Sequence, residues 1–208
     1  MVGIDVRLAG QAGADVPDAA HVFRAALDAH AAVMRGVAES EDDLLLASGA
    51  LATCVAGGSK ILVCGNGGSA ADAQHLAAEL VGRFLRERRA LPAIALTVDT
   101  SVLTAIGNDY EFADVFCRQV EALGCPGDVL VAISTSGNSP NVIRAAESAH
   151  SKGMRCIGIL GNEGGELAAH CDVGLIVRAD HVARIQEAHE LIIHVLCEVL
   201  ENSIATPE

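Results

Sequence analysis

Cys64-Gly65-Asn66-Gly67-Gly68-Ser69-Ala70-Ala71-Asp72-Ala73-Gln74-His75-Leu76-Ala77-Ala78-Glu79-Leu80-Val81-Gly82 is the segment from which the architecture can be read outward. It follows an apolar run, Ile61 to Cys64, and opens into an alanine-rich stretch with helical periodicity, so it predicts a strand, a glycine turn and a helix. Such a junction binds anions. The glycines let backbone N–H groups approach a ligand, Ser69 is placed to cap the helix, and the helix N-terminus adds partial positive charge. It is not a Walker A loop, because no Gly-Lys-Ser/Thr follows. His75 and Glu79 stand four apart and so share one helix face, where they can hold a metal or move a proton. From that spacing alone, an exposed helix pair worth a few tenths of a kcal/mol is the preferred reading.

The surrounding composition narrows the classes. At 208 residues and 51% hydrophobic content, the chain can bury one sizeable core. We expect a poorly ordered segment over 1–16, one domain over 17–203 and a short tail over 204–208. No apolar stretch is long enough to span a membrane, and Asp5 and Arg7 interrupt any signal-like start, so the expected location is the cytoplasm. The seven cysteines, with no Cys-x-x-Cys, read as buried thiols and not as a disulfide framework or zinc knuckle. A net charge of −13, with twelve arginines and two lysines, argues against a nucleic-acid surface. In the basic cluster Arg83, Arg86, Arg88 and Arg89, three of the four read as solvated charge or ion pairing with a neighbouring subunit.

Two helices are expected before any sheet, one from Pro17-Asp18 to about Val37 and one from near Ser40 to about Ala56, where Gly57-Gly58 ends it. Five apolar runs follow: Ile61 to Cys64, Ala93 to Leu96, Val129 to Ile133, Cys156 to Leu160 and Val173 to Val177. They lack alternation, so they predict strands buried on both faces, each separated from the next by room for a crossover helix. The fold class is therefore α/β, with a parallel sheet whose strand C-termini share one edge, where open α/β sheets bind ligands.

That edge carries Gly65 to Ser69, the stretch after Leu96 leading to Asn108-Asp109, and Ser134-Thr135-Ser136-Gly137-Asn138-Ser139-Pro140. The last of these puts four hydroxyls and a glycine ahead of a proline at a first helical position. It forms a cup of donors suited to a phosphate, or a serine-rich cap bonded to itself and water. The final helix, about His181 to Glu201, contains Gln186, Glu187, His189, Glu190 and His194. His194 lies in the apolar run Leu191 to Cys197 and reads by default as a core histidine in need of a partner. Spacing pairs it with Glu190.

The glycine loop and its helix, the Ser134 to Ser139 loop, and Arg184-Ile185-Gln186-Glu187-Ala188-His189 through His194 together resemble the sugar isomerase (SIS) domain family. Within that family they are most similar to the sedoheptulose 7-phosphate isomerases, or phosphoheptose isomerases. The resemblance covers about residues 20 to 200. It implies a three-layer sandwich with a five-stranded parallel sheet flanked by helices, two helices preceding the sheet, and a homotetramer with active sites between subunits. It implies a small phosphosugar substrate bound by Asn66, Gly67, Gly68, Glu79, Asn108, Asp109, Ser134, Thr135, Ser136, Ser139 and Gln186. It also implies zinc held by His75, Glu79, Gln186 and His194, with Glu79 and His194 as the acid/base residues. The implied reaction converts sedoheptulose 7-phosphate to an aldoheptose 7-phosphate, the first step toward the activated heptose of lipopolysaccharide and related glycans. A relative of the same fold, the initiator-associating protein that binds the replication initiator DnaA, offers a non-catalytic alternative, but its pattern lacks the residues matching Glu79 and His194. An isomerase of another phosphosugar is a further alternative. Gln186 and His194 are eight apart, about 12 Å along an ideal helix and rotated by about 80°, which is awkward for a shared metal.

Overall fold

The structure, a computed structural model, describes residues 18–204; the expected N-terminal segment 1–16 and all of the expected tail except Ile204 lie outside the described residues. Two helices come first, α1 (Ala19–Val37) and α2 (Glu41–Ala56), joined by a 3-10 turn over Ala38–Ser40. Glu41, Asp42 and Asp43 fill the first turn of α2, where negative charge meets the helix dipole. The sheet consists of β1 (Ile61–Gly65), β2 (Ala93–Ala95), β3 (Val129–Ser134), β4 (Arg155–Gly161) and β5 (Val173–Val177), in the order β2-β1-β3-β4-β5, with every pair parallel. Between them run α3 (Gly68–Val81), α4 (Thr100–Asp109), α5 (Cys117–Leu123) and α6 (Pro140–Ser151), and α7 (Val182–Ile204) closes the described chain.

Alternate strand residues divide into two cores. Ile61, Val63, Val131 and Ile159 face α2, α3 and α7, whereas Leu62, Cys64, Leu130 and Leu160 face α5 and α6. This is the expected helix–sheet–helix sandwich. Burial on both faces holds for β1 and β3 and for β4 beyond Arg155, but not at the edges. Ile94 of β2 is 39% exposed, and β5 is only partly covered. An edge strand has no neighbour on one side, so fewer helices cover it. The β4–β5 connection also departs from expectation, holding only a 3-10 segment, Glu166–His170, in place of a full crossover helix.

Five of the seven thiols are buried; Cys171 is half-buried and Cys125 is exposed. Among the described residues, no helix is long and apolar enough to cross a membrane. The chain steps from β1 outward to β2 and then returns to the other side of β1 for β3, so the loops after β1 and β3 leave in opposite directions. A crevice opens between them at this reversal, as it does in other open α/β sheets.

Candidate active site

The glycine loop forms one wall of that crevice. Gly67 takes φ +57° ahead of α3, a left-handed conformation that glycine adopts without a Cβ penalty. Ser69 does not cap the helix as expected. It lies inside the first turn and is buried, because α3 starts two residues earlier with Gly67 at the cap position. The opposite wall is the loop after β3, where Ser134 Oγ accepts from Gly137 N at 3.1 Å and meets Ser139 Oγ at 3.2 Å. Pro140 occupies the first helical position of α6 as expected, and Val142 and Ile143 both donate to the Ser139 carbonyl. The cup's remaining donors are therefore loop N–H groups and hydroxyls more than the helix terminus itself. Gly137, at φ +65°, lies so close to Gly164 that a Cβ would overlap the Gly164 carbonyl.

Asn141 joins the two walls, and nothing in its sequence context marked it. Asn66 Nδ2 donates to Asn141 Oδ1 at 2.8 Å, and Asn141 Nδ2 donates back to Asn66 Oδ1 at 2.9 Å. A cleft of about 190 Å³ lies against this bridge, lined by Asn66, Phe112, Ala113, Ser139, Pro140 and Asn141. Thr135 is half-buried and Ser136 is exposed, its Oγ accepting from Asn138 N at 3.1 Å. Asn108 and Asp109 are exposed at the end of α4 and bond to one another, Nδ2 to Oδ1, at 2.8 Å.

A second cluster lies further along α3, where α7 runs beside it. His75 Nε2 is 3.1 Å from Glu79 Oε1 and 3.3 Å from His194 Nε2. His75 Nδ1 is 2.8 Å from Glu190 Oε1, which is also 3.2 Å from His194 Nε2. The two imidazoles meet edge to face, and Phe84 stacks on His194 with ring centroids 5.5 Å apart. His194 is not the core histidine its apolar neighbours predicted: its side chain is 39% exposed. The buried one is His189, fully enclosed, because positions 186, 190 and 194 share the α7 stripe facing α3 while 189 faces the sheet.

Gln186 is placed apart from this cluster. Its amide rests on Gly68, where an added Cβ would lie 2.0 Å from Nε2, and it has no hydrogen bond to His75, Glu79 or His194. Glu190, the partner that spacing alone favoured, is the α7 carboxylate that reaches the imidazoles.

The donor set suits a divalent cation. Zinc–ligand bonds near 2.0–2.1 Å in a tetrahedron set ligand–ligand edges of about 3.3 Å, close to the observed 3.1 and 3.3 Å separations. Two imidazole nitrogens at that distance repel each other through their lone pairs unless a proton or a metal lies between them. Nearby, Asp72 Oδ2 is buried with no hydrogen-bond partner. Burial, and after it the charge of Glu190, push the Asp72 carboxyl up to about 6 against the opposing pull of His75. Carboxylates crowded this way are relieved by a cation.

The loop after α3 is held down over the cluster. Glu201, buried on α7, accepts from the backbone N–H groups of Phe84, Leu85 and Arg86 at 3.2, 2.8 and 2.9 Å. Arg88 Nε lies 3.2 Å from Glu201, and the Arg88 guanidinium donates to the carbonyls of Glu79 and Leu80 at the end of α3. Of the four arginines in the basic cluster, Arg88 is thus structural. Arg83 is exposed, its Nε 3.9 Å from Glu87.

The SIS domain family matches residues 27–161. The chain is 53% identical over 183 residues to a phosphoheptose isomerase of Geotalea uraniireducens, covering 88% of this chain and 97% of that one. It is 60% identical over 154 residues to one from Geotalea daltonii, covering 74% and 80%. This chain belongs to the phosphoheptose isomerase family of SIS domains. The solved phosphoheptose isomerase of Neisseria gonorrhoeae superposes with a TM-score of 0.84 at 45% identity, over 88% of this chain and 98% of that one. The matched range 27–161 contains the glycine loop, α3 and the loop after β3, and ends before α7.

Proposed function

We propose that the protein is a cytoplasmic aldose–ketose isomerase that converts sedoheptulose 7-phosphate to the aldoheptose 7-phosphate. The observation that carries this reading is the convergence of His75, Glu79 and His194 beside a donor-lined crevice, in a chain of this family. Gly68 and His75 are seven residues apart on α3, about 10 Å along its axis, a span that a seven-carbon chain ending in a phosphate can bridge. The phosphate is bound by the loop N–H and hydroxyl groups of Ser134, Thr135, Ser136 and Ser139. Asn66, Gly67 and Gly68 contact the sugar, and Asn108 and Asp109 do so from the end of α4. Binding the far end in this way turns remote affinity into correct placement of C1 and C2.

The isomerisation moves a proton from C1 to C2 through an enediol. Glu79 takes the C1 proton of the ketose and returns it at C2, while His194 donates a proton to the C2 oxygen and takes one back from the C1 hydroxyl. Glu79 Oε1 faces His75, which leaves the second oxygen for the substrate proton. Zinc held by His75, Glu79 and His194 would polarise the carbonyl as a Lewis acid. Gln186, the further ligand implied by resemblance, would have to leave Gly68 to join them.

Metal analysis of protein purified without chelator is expected to find about one zinc per chain. Glu79→Gln keeps size and shape without basicity, so turnover of sedoheptulose 7-phosphate should fall by roughly 10²- to 10⁴-fold with little change in KM. Full activity in metal-free protein, or an unimpaired Glu79→Gln enzyme, would contradict the assignment.

A further inference from the structure

Glu190 is given no role by the proposed chemistry, yet it is the closest partner of the central histidine. Its Oε1 lies 2.8 Å from His75 Nδ1, shorter than either contact made by His75 Nε2. With a cation on Nε2 between it and Glu79, the one proton of a neutral His75 is on Nδ1, the nitrogen that Glu190 Oε1 approaches. The Nε2 lone pair is then exposed on the side where Glu79 Oε1 and His194 Nε2 converge. Without that partner the ring is free to take the other tautomer or to flip, and either change puts an N–H where a lone pair is needed.

The location of Glu190 reinforces the point. It sits one turn before His194 on α7, while His75 is on α3, so a single carboxylate fixes one histidine across the helix pair and touches the other along its own helix. The side chain is 31% exposed, and its carboxylate is turned to the two imidazoles.

We propose that Glu190 is the positioning residue of the metal centre: it accepts the Nδ1 proton of His75 and so holds Nε2 as the metal-binding atom. This rests on the zinc reading above. Partners of this kind typically change metal affinity by 10- to 100-fold. Glu190→Leu keeps the bulk and removes the acceptor, whereas Glu190→Gln keeps a carbonyl oxygen that can still accept from Nδ1. Full-length proteins are titrated with zinc against a chromophoric chelator, and the zinc-loaded forms are measured by X-ray absorption. The expected result is zinc affinity weakened roughly 10- to 100-fold in Glu190→Leu, largely restored in Glu190→Gln, with the same number of zinc ligands in Glu190→Gln and wild type. Equal affinity in wild type and Glu190→Leu would overturn the inference while leaving the zinc reading intact. Loss of an oxygen neighbour from zinc in Glu190→Gln would also overturn it, by making Glu190 a ligand. A wild type that binds no zinc would instead overturn the reading on which it rests.

Discussion

His75, His189 and His194 show how differently three histidines behave within one helix pair. His75 and His194 are half-exposed and face each other across α3 and α7, positioned for chemistry. His189 is fully buried, and neither of its ring nitrogens has a well-formed hydrogen bond. Burial pushes its pKa down to about 4, with the Leu160 carbonyl pulling weakly the other way. The folded protein therefore holds His189 neutral, while the unfolded chain takes up a proton below about pH 6.5. Stability is complete above that value and declines as pH falls from 6.5 toward 4. Between pH 7 and pH 5 this residue should account for about 2 kcal/mol of lost stability. Urea unfolding at the two pH values should show a smaller loss in His189→Gln than in wild type; equal losses would exclude His189 as the acid-sensitive group.

The pairing of α7 with α3 and its following loop organises the face that carries the histidine cluster. Glu201 gathers three backbone N–H groups of that loop and the Arg88 side chain. Burial alone would raise its pKa, but those donors hold it below the usual carboxylate range. Glu201→Gln would turn an amide N–H toward other donors and leave Arg88 buried without its partner, a defect of about 3 kcal/mol by analogy with broken buried pairs. Hydrogen exchange should become faster at Leu85 and Arg86 while β3 remains protected; unchanged exchange in the loop would mean that Glu201 does not hold it. Little of this was legible in the sequence, because Glu201 and residues 84–86 lie more than a hundred positions apart and carry no local pattern. The apolar runs, by contrast, located all five strands, since strands buried between helix layers need continuous Val, Ile and Leu. The α7 stripe was half legible. Helical spacing pairs Glu190 with His194, but only the packing of α7 against α3 shows that Gln186 meets Gly68 and that His189, not His194, faces the core.

For the molecule as a whole, the outer surface carries apolar side chains that a second copy would cover. Neither α1 nor α4 contains a buried residue, and Val22, Phe23 and Leu27 of α1 are more than half exposed. Within the chain, α1 is tied to α7 by His30 on Glu187 and by Arg184 on the Ala26 carbonyl. Exposed Val81, Leu85 and Leu191 lie on the same segments as the histidine cluster, on α3, the loop after it and α7. Apolar surface placed there is suited to burial by another subunit, which would also exclude water from the site. Light scattering is expected to give a tetramer, and a monomer at every concentration would contradict a site shared between subunits. The central claim, that this site isomerises a heptose phosphate through Glu79, is tested most directly by NMR of sedoheptulose 7-phosphate incubated with the zinc-loaded protein in deuterated water. The account predicts a new aldoheptose 7-phosphate carrying deuterium at C2, because a proton held on Glu79 during the enediol stage exchanges with solvent. A substrate left unchanged, with no product and no deuterium at C1, would contradict it.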